Sequence, residues 1–179
     1  MRYVAFLRAI NVGGHTVRME HLRRLFETLG AARVETFIAS GNVIFESARP
    51  RAALEKHLEA ELEAALKFPV ATFLRTLPEI ATVARVPACS AAAAGQAAGV
   101  ATYVGFLKKK PSADASAAAA AASTRSHRFA VHGREVYWLR LNLAEDYRGP
   151  SLEKLLGPAT FRNVTTIRKI ADKYGAGTS

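Results

Sequence analysis

Two tandem ferredoxin-like α+β halves, packed into one compact two-lobed unit, are the fold that this sequence predicts. Three observations predict it. Short apolar runs and stretches of helical periodicity follow one another in the order βαββαβ over the first half of the chain. An approximate echo of that order, in element type and not in residue identity, returns in the second half. Between the two lies PACSAAAAGQAAG, whose small side chains supply little apolar surface and whose glycines oppose a stable helix. The domain reading is therefore residues 1–86 as the first half, 87–100 as a linker and 101–179 as the second half. Two packed lobes and one shared core fit this pattern equally well.

The elements follow in order. Residues 2–8 are dominated by apolar types and predict a buried strand; beyond Gly13-Gly14, Met19, Leu22, Leu25, Phe26 and Leu29 recur on one helical face until Gly30 stops it. Val34 to Ile38 alternates, and Val43 and Phe45 follow Ser40-Gly41-Asn42, which predicts a hairpin with a tight glycine turn. Leu54, Leu58, Leu62, Ala65 and Leu66 mark a second amphipathic helix, and Val70 to Leu74 a fourth strand. Thr76-Leu77-Pro78-Glu79 has the spacing of a capping box.

In the second half, Ala101 to Leu107 predicts a strand that Lys108-Lys109-Lys110-Pro111 ends. The alanine run from Ala113 to Ala122 predicts a helix with few bulky groups to anchor it. Phe129-Ala130-Val131 and Val136-Tyr137-Trp138-Leu139 flank His132-Gly133 as a second hairpin. Ser151 to Gly157-Pro158 carries a cap and a stop, and Val164, Ile167, Ile170, Ala171 and Tyr174 form a last helical face behind Asn163, a candidate N-cap. This half reads βαββα with an extra helix.

A chain of 179 residues buries roughly 70% of the surface that its unfolded form exposes, which is enough to fold without disulfides. The single cysteine, Cys89, has no partner in the chain and no neighbouring base to activate it, which suits a reducing cytoplasm. No apolar run reaches the length of about 18 residues that a membrane span needs, and the first residues lack a signal-peptide layout. The expectation is a soluble, cytoplasmic protein without a membrane partner. The formal charge of +10 is concentrated late: residues 101–179 hold thirteen Lys/Arg against six Asp/Glu. Such an excess attracts nucleic acid or phosphorylated ligands, and it also serves solubility.

Leu7-Arg8-Ala9-Ile10-Asn11-Val12-Gly13-Gly14, Ile38-Ala39-Ser40-Gly41-Asn42-Val43-Ile44-Phe45 and Ala159-Thr160-Phe161-Arg162-Asn163-Val164-Thr165-Thr166, taken in order, resemble the bacterial family catalogued as domain of unknown function 1697. Ala9 stands where that family usually has glycine, and Val164 where it commonly has tryptophan. The resemblance implies an α+β fold of two ferredoxin-like halves. It implies no reaction and no cofactor.

The candidate site follows from the same three stretches. Neither GxxxxGK[ST] nor GxGxxG is present, so Asn11-Val12-Gly13-Gly14 is not a nucleotide loop of either kind. Gly13 and Gly14 let backbone amides approach an anion near a helix N-terminus, or they simply make a strand-to-helix turn that needs positive φ. Arg162-Asn163 offers a guanidinium fork and a cap beside two hydroxyls, or a solvated charge and an ordinary N-cap. Arg8, Asn11, Gly13, Gly14, Ser40, Gly41, Asn42, Arg162 and Asn163 form one polar ligand site if the stretches converge.

His15, beside Gly14, is the candidate general base. HExxH, GxSxG and paired cysteines are absent, and His21, His57, His127 and His132 lack metal-ligand spacing, so no metal and no particular cofactor is indicated. The first reading is a binding protein for an anionic or other small ligand. One alternative is a sequence-tolerant nucleic-acid binder, although Tyr103-Val104-Gly105-Phe106-Leu107 lacks the RNA-recognition signature and Lys108-Lys109-Lys110 also reads as a solvated charge run. The other is an enzyme acting on a phosphorylated or carboxylated small molecule.

Overall fold

The computed structural model of the chain describes residues 1–11, 13–86 and 100–175. It divides into two compact units, Met1–Glu79 and Ile80–Ser179. The segment read as a linker lies, except for Val100, outside the described residues, as does Cys89.

The first unit contains β1 (Arg2–Leu7), α1 (Met19–Thr28), β2 (Ala32–Thr36), β3 (Asn42–Glu46), α2 (Arg51–Leu66) and β4 (Thr72–Thr76). Its sheet has the order β2-β3-β1-β4 with every pair antiparallel, so each helix carries the chain over one intervening strand. Both helices cover one face. Leu22 and Phe26 of α1, with Leu54, Leu58 and Leu62 of α2, share a core with Tyr3, Ala5, Leu7, Val43, Phe45 and Leu74. The i, i+4 spacing of the leucines is what puts them on one stripe, and each fully buried side chain of this size contributes roughly 1.5–3 kcal/mol. The opposite face of the sheet is buried too, through Val4, Phe6, Ile44, Phe73 and Arg75. Burial on both faces is why the first strand reads as a continuous apolar run and not as an alternation.

Two local expectations are corrected. The connection between β2 and β3 is longer than a tight turn: residues 37–41 form it, with Ile38 at φ 53° and Gly41 at φ 72°. The fourth strand starts two residues later than the apolar pattern suggests, at Thr72, where its pairing with Leu7 of β1 begins, and carboxylates gather the amides of its outer edge. Thr72 donates to Glu59 (2.7 Å), Leu74 to Glu55 (3.0 Å) and Thr76 to Glu79 (2.7 Å). The capping box is present, since the Glu79 amide in turn donates to the Thr76 hydroxyl (3.3 Å) at the start of α3 (Leu77–Arg85). Arg51 closes the arrangement with one nitrogen on both oxygens of Glu79 (2.7 and 2.9 Å), and that bond pushes its guanidinium pKa upward.

The second unit contains β5 (Ala101–Leu107), α4 (Ala113–Ala121), β6 (His127–His132), β7 (Glu135–Arg140), α5 (Leu152–Leu156), β8 (Ala159–Asn163) and α6 (Val164–Gly175). Its sheet order, β6-β7-β5-β8, repeats that of the first unit position for position. The β-α-β-β-α-β pattern therefore occurs twice, and the fold is α+β with two similar halves. The strand β8 was not expected. Pro158 and the polar Arg162-Asn163 read as loop, yet the stretch pairs antiparallel with β5 from Ala159↔Leu107 to Asn163↔Tyr103.

The hairpin turn holds Gly133 at φ 61°, and Ser112 caps α4 by accepting from the Ala115 amide (3.1 Å). Ala119 is the one fully buried residue of that helix. Ser151 occupies the cap position of α5 without a side-chain capping bond, which corrects the cap expected there. One face of the second sheet carries Thr102, Val104, Phe106 and Tyr137, all buried. The other carries an aromatic cluster of Tyr103, Phe129, Trp138 and Phe161, which Tyr147 joins from the loop after β7. Tyr137 and Trp138 are thus packing residues. Among the described residues no helix is long and apolar enough to cross a membrane.

Candidate functional site

Strand β1 ends beside the start of β3, and this brings two of the three polar stretches together in the first unit. The Leu7 amide donates to the Gly41 carbonyl (2.8 Å), and on the other side the Arg8 amide donates to Ala71 (2.9 Å). Past this point the chain turns through four left-handed residues: Ala9 (φ 70°), Asn11 (φ 57°), Gly13 (φ 61°) and Gly14 (φ 87°). Asn11 fixes the turn from both ends. Its side-chain nitrogen donates to the Ala39 carbonyl (2.7 Å), and its oxygen accepts from the Val17 amide (2.8 Å), just ahead of α1.

The second stretch is locked by shape as well as by hydrogen bonds. A Cβ on Gly41 would stand 3.0 Å from Ile10 Cβ, so the positive φ and the close approach both select glycine. Asn42 is fully buried and donates to the Phe37 carbonyl (3.0 Å) and the Ser40 hydroxyl (2.9 Å). Asn11, Ser40, Gly41 and Asn42 accordingly build the two loops. Arg8, Gly13 and Gly14 are exposed, and around the two glycines nothing stands within 4 Å of where a Cβ would project.

His15 is exposed, and its ring stacks on Phe68 with centroids 4.1 Å apart. Among the described residues no carboxylate hydrogen-bonds it. Next to it runs a groove of about 340 Å³ lined by Val17, Arg18, His21, Leu66 and Phe68, among others. In the first turn of α1, Arg23 and Arg24 hydrogen-bond Glu20 and hold its carboxyl down at about 2.

Arg162 and Asn163 belong to the second unit. Arg162 is not a solvated charge: it lies on β8 opposite Val104, donates to the Thr160 hydroxyl (3.0 Å) and the Phe161 carbonyl (2.9 Å), and burial lowers its guanidinium pKa to about 10. Asn163 accepts from the Thr165 amide (2.8 Å) and so caps α6. Val164, the position where the resembled pattern has tryptophan, is buried in the first turn of that helix.

No local pattern signals the histidine that is built into the second unit. His127 is 2% exposed and accepts from the Trp138 indole N–H at Nδ1 (3.0 Å), which leaves its proton on Nε2. It lines a cleft of about 610 Å³ with Thr124, Glu145, Asp146 and Arg148. Nε2 is closed off from solvent and makes no hydrogen bond among the described residues. Its link to Trp138 depends on the β6–β7 register, which no short motif encodes. Among the described residues no group of three or more His, Cys, Asp or Glu side chains is placed to hold a metal ion.

Two antiparallel sheets of identical strand order, the first with an ordered loop pair at the end of its central strand, define a duplicated ferredoxin-like α+β protein. The chain belongs to the family described as protein of unknown function (DUF1697), whose pattern matches residues 1–137. The stretch Ala159–Thr166 lies beyond the matched residues. The chain is also similar to the conserved bacterial protein SP0830 from Streptococcus pneumoniae, with 22% identity over 96% of this chain and 97% of that one, and a TM-score of 0.70. At this identity the likeness shows the fold alone. No curated protein matches the chain.

The left-handed backbone at Ala9 accounts for the glycine usual at that position. A side chain there costs roughly 1–2 kcal/mol in the folded state, and glycine returns part of that gain through its larger unfolded entropy. Ala9→Gly is expected to stabilise the protein by about 1 kcal/mol, read as a raised urea midpoint at unchanged slope. A neutral or destabilising result would mean that the loop relaxes around Ala9.

Proposed function

We propose that the loop pair of the first unit binds a small molecule through an anionic group. The observation that supports this reading is the left-handed backbone at Ala9, Asn11, Gly13 and Gly14, with Asn11 bonded at both ends and Gly13 and Gly14 exposed. At the non-glycine residues Ala9 and Asn11 such a backbone carries strain, and strain of this kind collects at ligand clamps and switch regions. Arg8, exposed where the chain leaves β1 for this loop, supplies a cation, and the groove beside Phe68 offers an apolar wall with Arg18 and His21 in its lining. The reading is one of binding, because among the described residues no hydrogen-bond partner holds the His15 ring for proton transfer. Arg162 and Asn163 stay outside the proposal, since their polar atoms already serve β8 and α6.

The test is an amide chemical-shift titration with inorganic phosphate, pyrophosphate and benzoate. Saturable shifts are expected at Gly13 and Gly14, and Arg8→Gln is expected to weaken binding about tenfold, the loss of one charge-assisted hydrogen bond. Shifts scattered over the basic surface, or the same affinity in Arg8→Gln, would refute the assignment.

A further inference from the structure

We propose that the second unit binds the phosphate backbone of single-stranded nucleic acid along a basic stripe that follows β6 and turns onto the adjoining end of the sheet. The stripe joins residues distant in sequence. Phe106 pairs with Glu135, and the Leu107 amide donates to the Arg134 carbonyl (2.9 Å), so Lys108, Lys109 and Lys110 leave β5 beside the β6–β7 turn that carries Arg134. Two and six residues before Arg134, His132 and Arg128 stand on one face of β6 and are exposed, as are Lys109 and Lys110. The exposed basic groups Arg128, His132, Lys109 and Lys110 therefore belong to β6 and to the segment that leaves β5 beside its turn, with Lys108 and Arg134 half-buried between them. Glu135 and Asp114 are the carboxylates nearest in sequence, and the cations outnumber them.

Two features of the stripe set aside a peptide strand and a lipid surface as its partner. The outward amides of His127 and Phe129 are taken by the Thr124 hydroxyl (3.1 Å) and the Ser123 hydroxyl (3.0 Å), which closes this part of the edge to an added peptide strand. Among the described residues none of the stripe's own positions is a large exposed apolar residue, so nothing in it would insert into a lipid surface. No exposed aromatic ring stands among the cations, since Tyr137 on the same face is buried. Such a surface reads phosphates and not bases, and its binding is tolerant of sequence.

The probe is a fluorescein-labelled thymidine oligonucleotide of about 20 residues, followed by anisotropy from about 25 to about 200 mM salt. Each phosphate contact on a single strand contributes about 0.7 to the slope of log affinity against log salt, so five contacts predict a slope near −3.5. Replacing Lys108, Lys109 and Lys110 together by glutamine is expected to flatten the slope by about 2 and to weaken binding at least about tenfold at low salt. Removing two charges from α6, by Lys169→Gln with Lys173→Gln, is expected to change the slope by less than about 0.5. The proposal is overturned by no binding at about 25 mM salt, by equal losses in the two variants, or by anionic-lipid vesicles competing the oligonucleotide away.

Discussion

Gly105→Ala is expected to destabilise the second unit by about 2–3 kcal/mol, at the upper end of what an overpacked core position costs. Gly105 lies on the central strand β5, paired with Phe161 of β8 on one side and Val136 of β7 on the other. A Cβ at this position would come 2.6 Å from Phe161 Cε1 and 2.7 Å from Val136 Cγ1. Phe161 cannot swing away freely, because its ring meets Trp138 edge to face at 5.8 Å. Trp138 is the only tryptophan, so its fluorescence during urea unfolding reports this unit directly. In the Gly105→Ala background, Phe161→Leu is expected to recover at least about 1 kcal/mol, a coupling that contacting residues show and distant ones do not. A loss below about 0.5 kcal/mol would mean that the sheet opens at β8 to admit the methyl group.

Glycine at 105 also shows which parts of the fold were legible in the sequence. Its need arises from a ring on another strand, so no local pattern announces it, whereas Gly41 and Gly133 stand in turns where local chemistry suffices. Periodicity was enough for α1, α2 and β5, whose burial repeats every three to four residues or every residue. It failed for β8. That strand has five residues, follows Gly157-Pro158, and ends in Arg162-Asn163, where one polar residue is half-buried and the other caps a helix. The candidate site divides in the same way. The glycines of Asn11-Val12-Gly13-Gly14 and Ser40-Gly41-Asn42 marked the loops correctly as places of unusual backbone. That Asn11 and Asn42 are framework residues was hidden, because their partners, the carbonyls of Ala39 and Phe37, belong to the backbone and leave no trace in residue type.

Truncating Glu55 and Glu59 together to alanine is expected to cost about 3 kcal/mol and to make the protein self-associate. Strand β4 is an edge of the first sheet, and the amides of alternate residues point away from β1. On α2 the two glutamates are four residues apart, a rise of about 6 Å, which matches the advance of about 6.8 Å between Thr72 and Leu74 on an extended strand. One carboxylate therefore meets each amide, at 2.7 and 3.0 Å, and Glu79 serves Thr76 beyond them. Losing an acceptor leaves a donor unsatisfied at a cost of roughly 1–3 kcal/mol, and here two are lost on a strand whose Thr72 and Leu74 are fully buried. The freed amides are also what a second sheet edge would bind. Urea unfolding measures the first effect, and light scattering during refolding the second. Glutamine at both positions keeps a carbonyl oxygen for each amide, so that variant is expected to lose no more than about half as much and to stay monodisperse. Equal losses with glutamine and alanine would show that the charges matter beyond their hydrogen bonds. Alanine variants with neither effect would show that water replaces the carboxylates along β4.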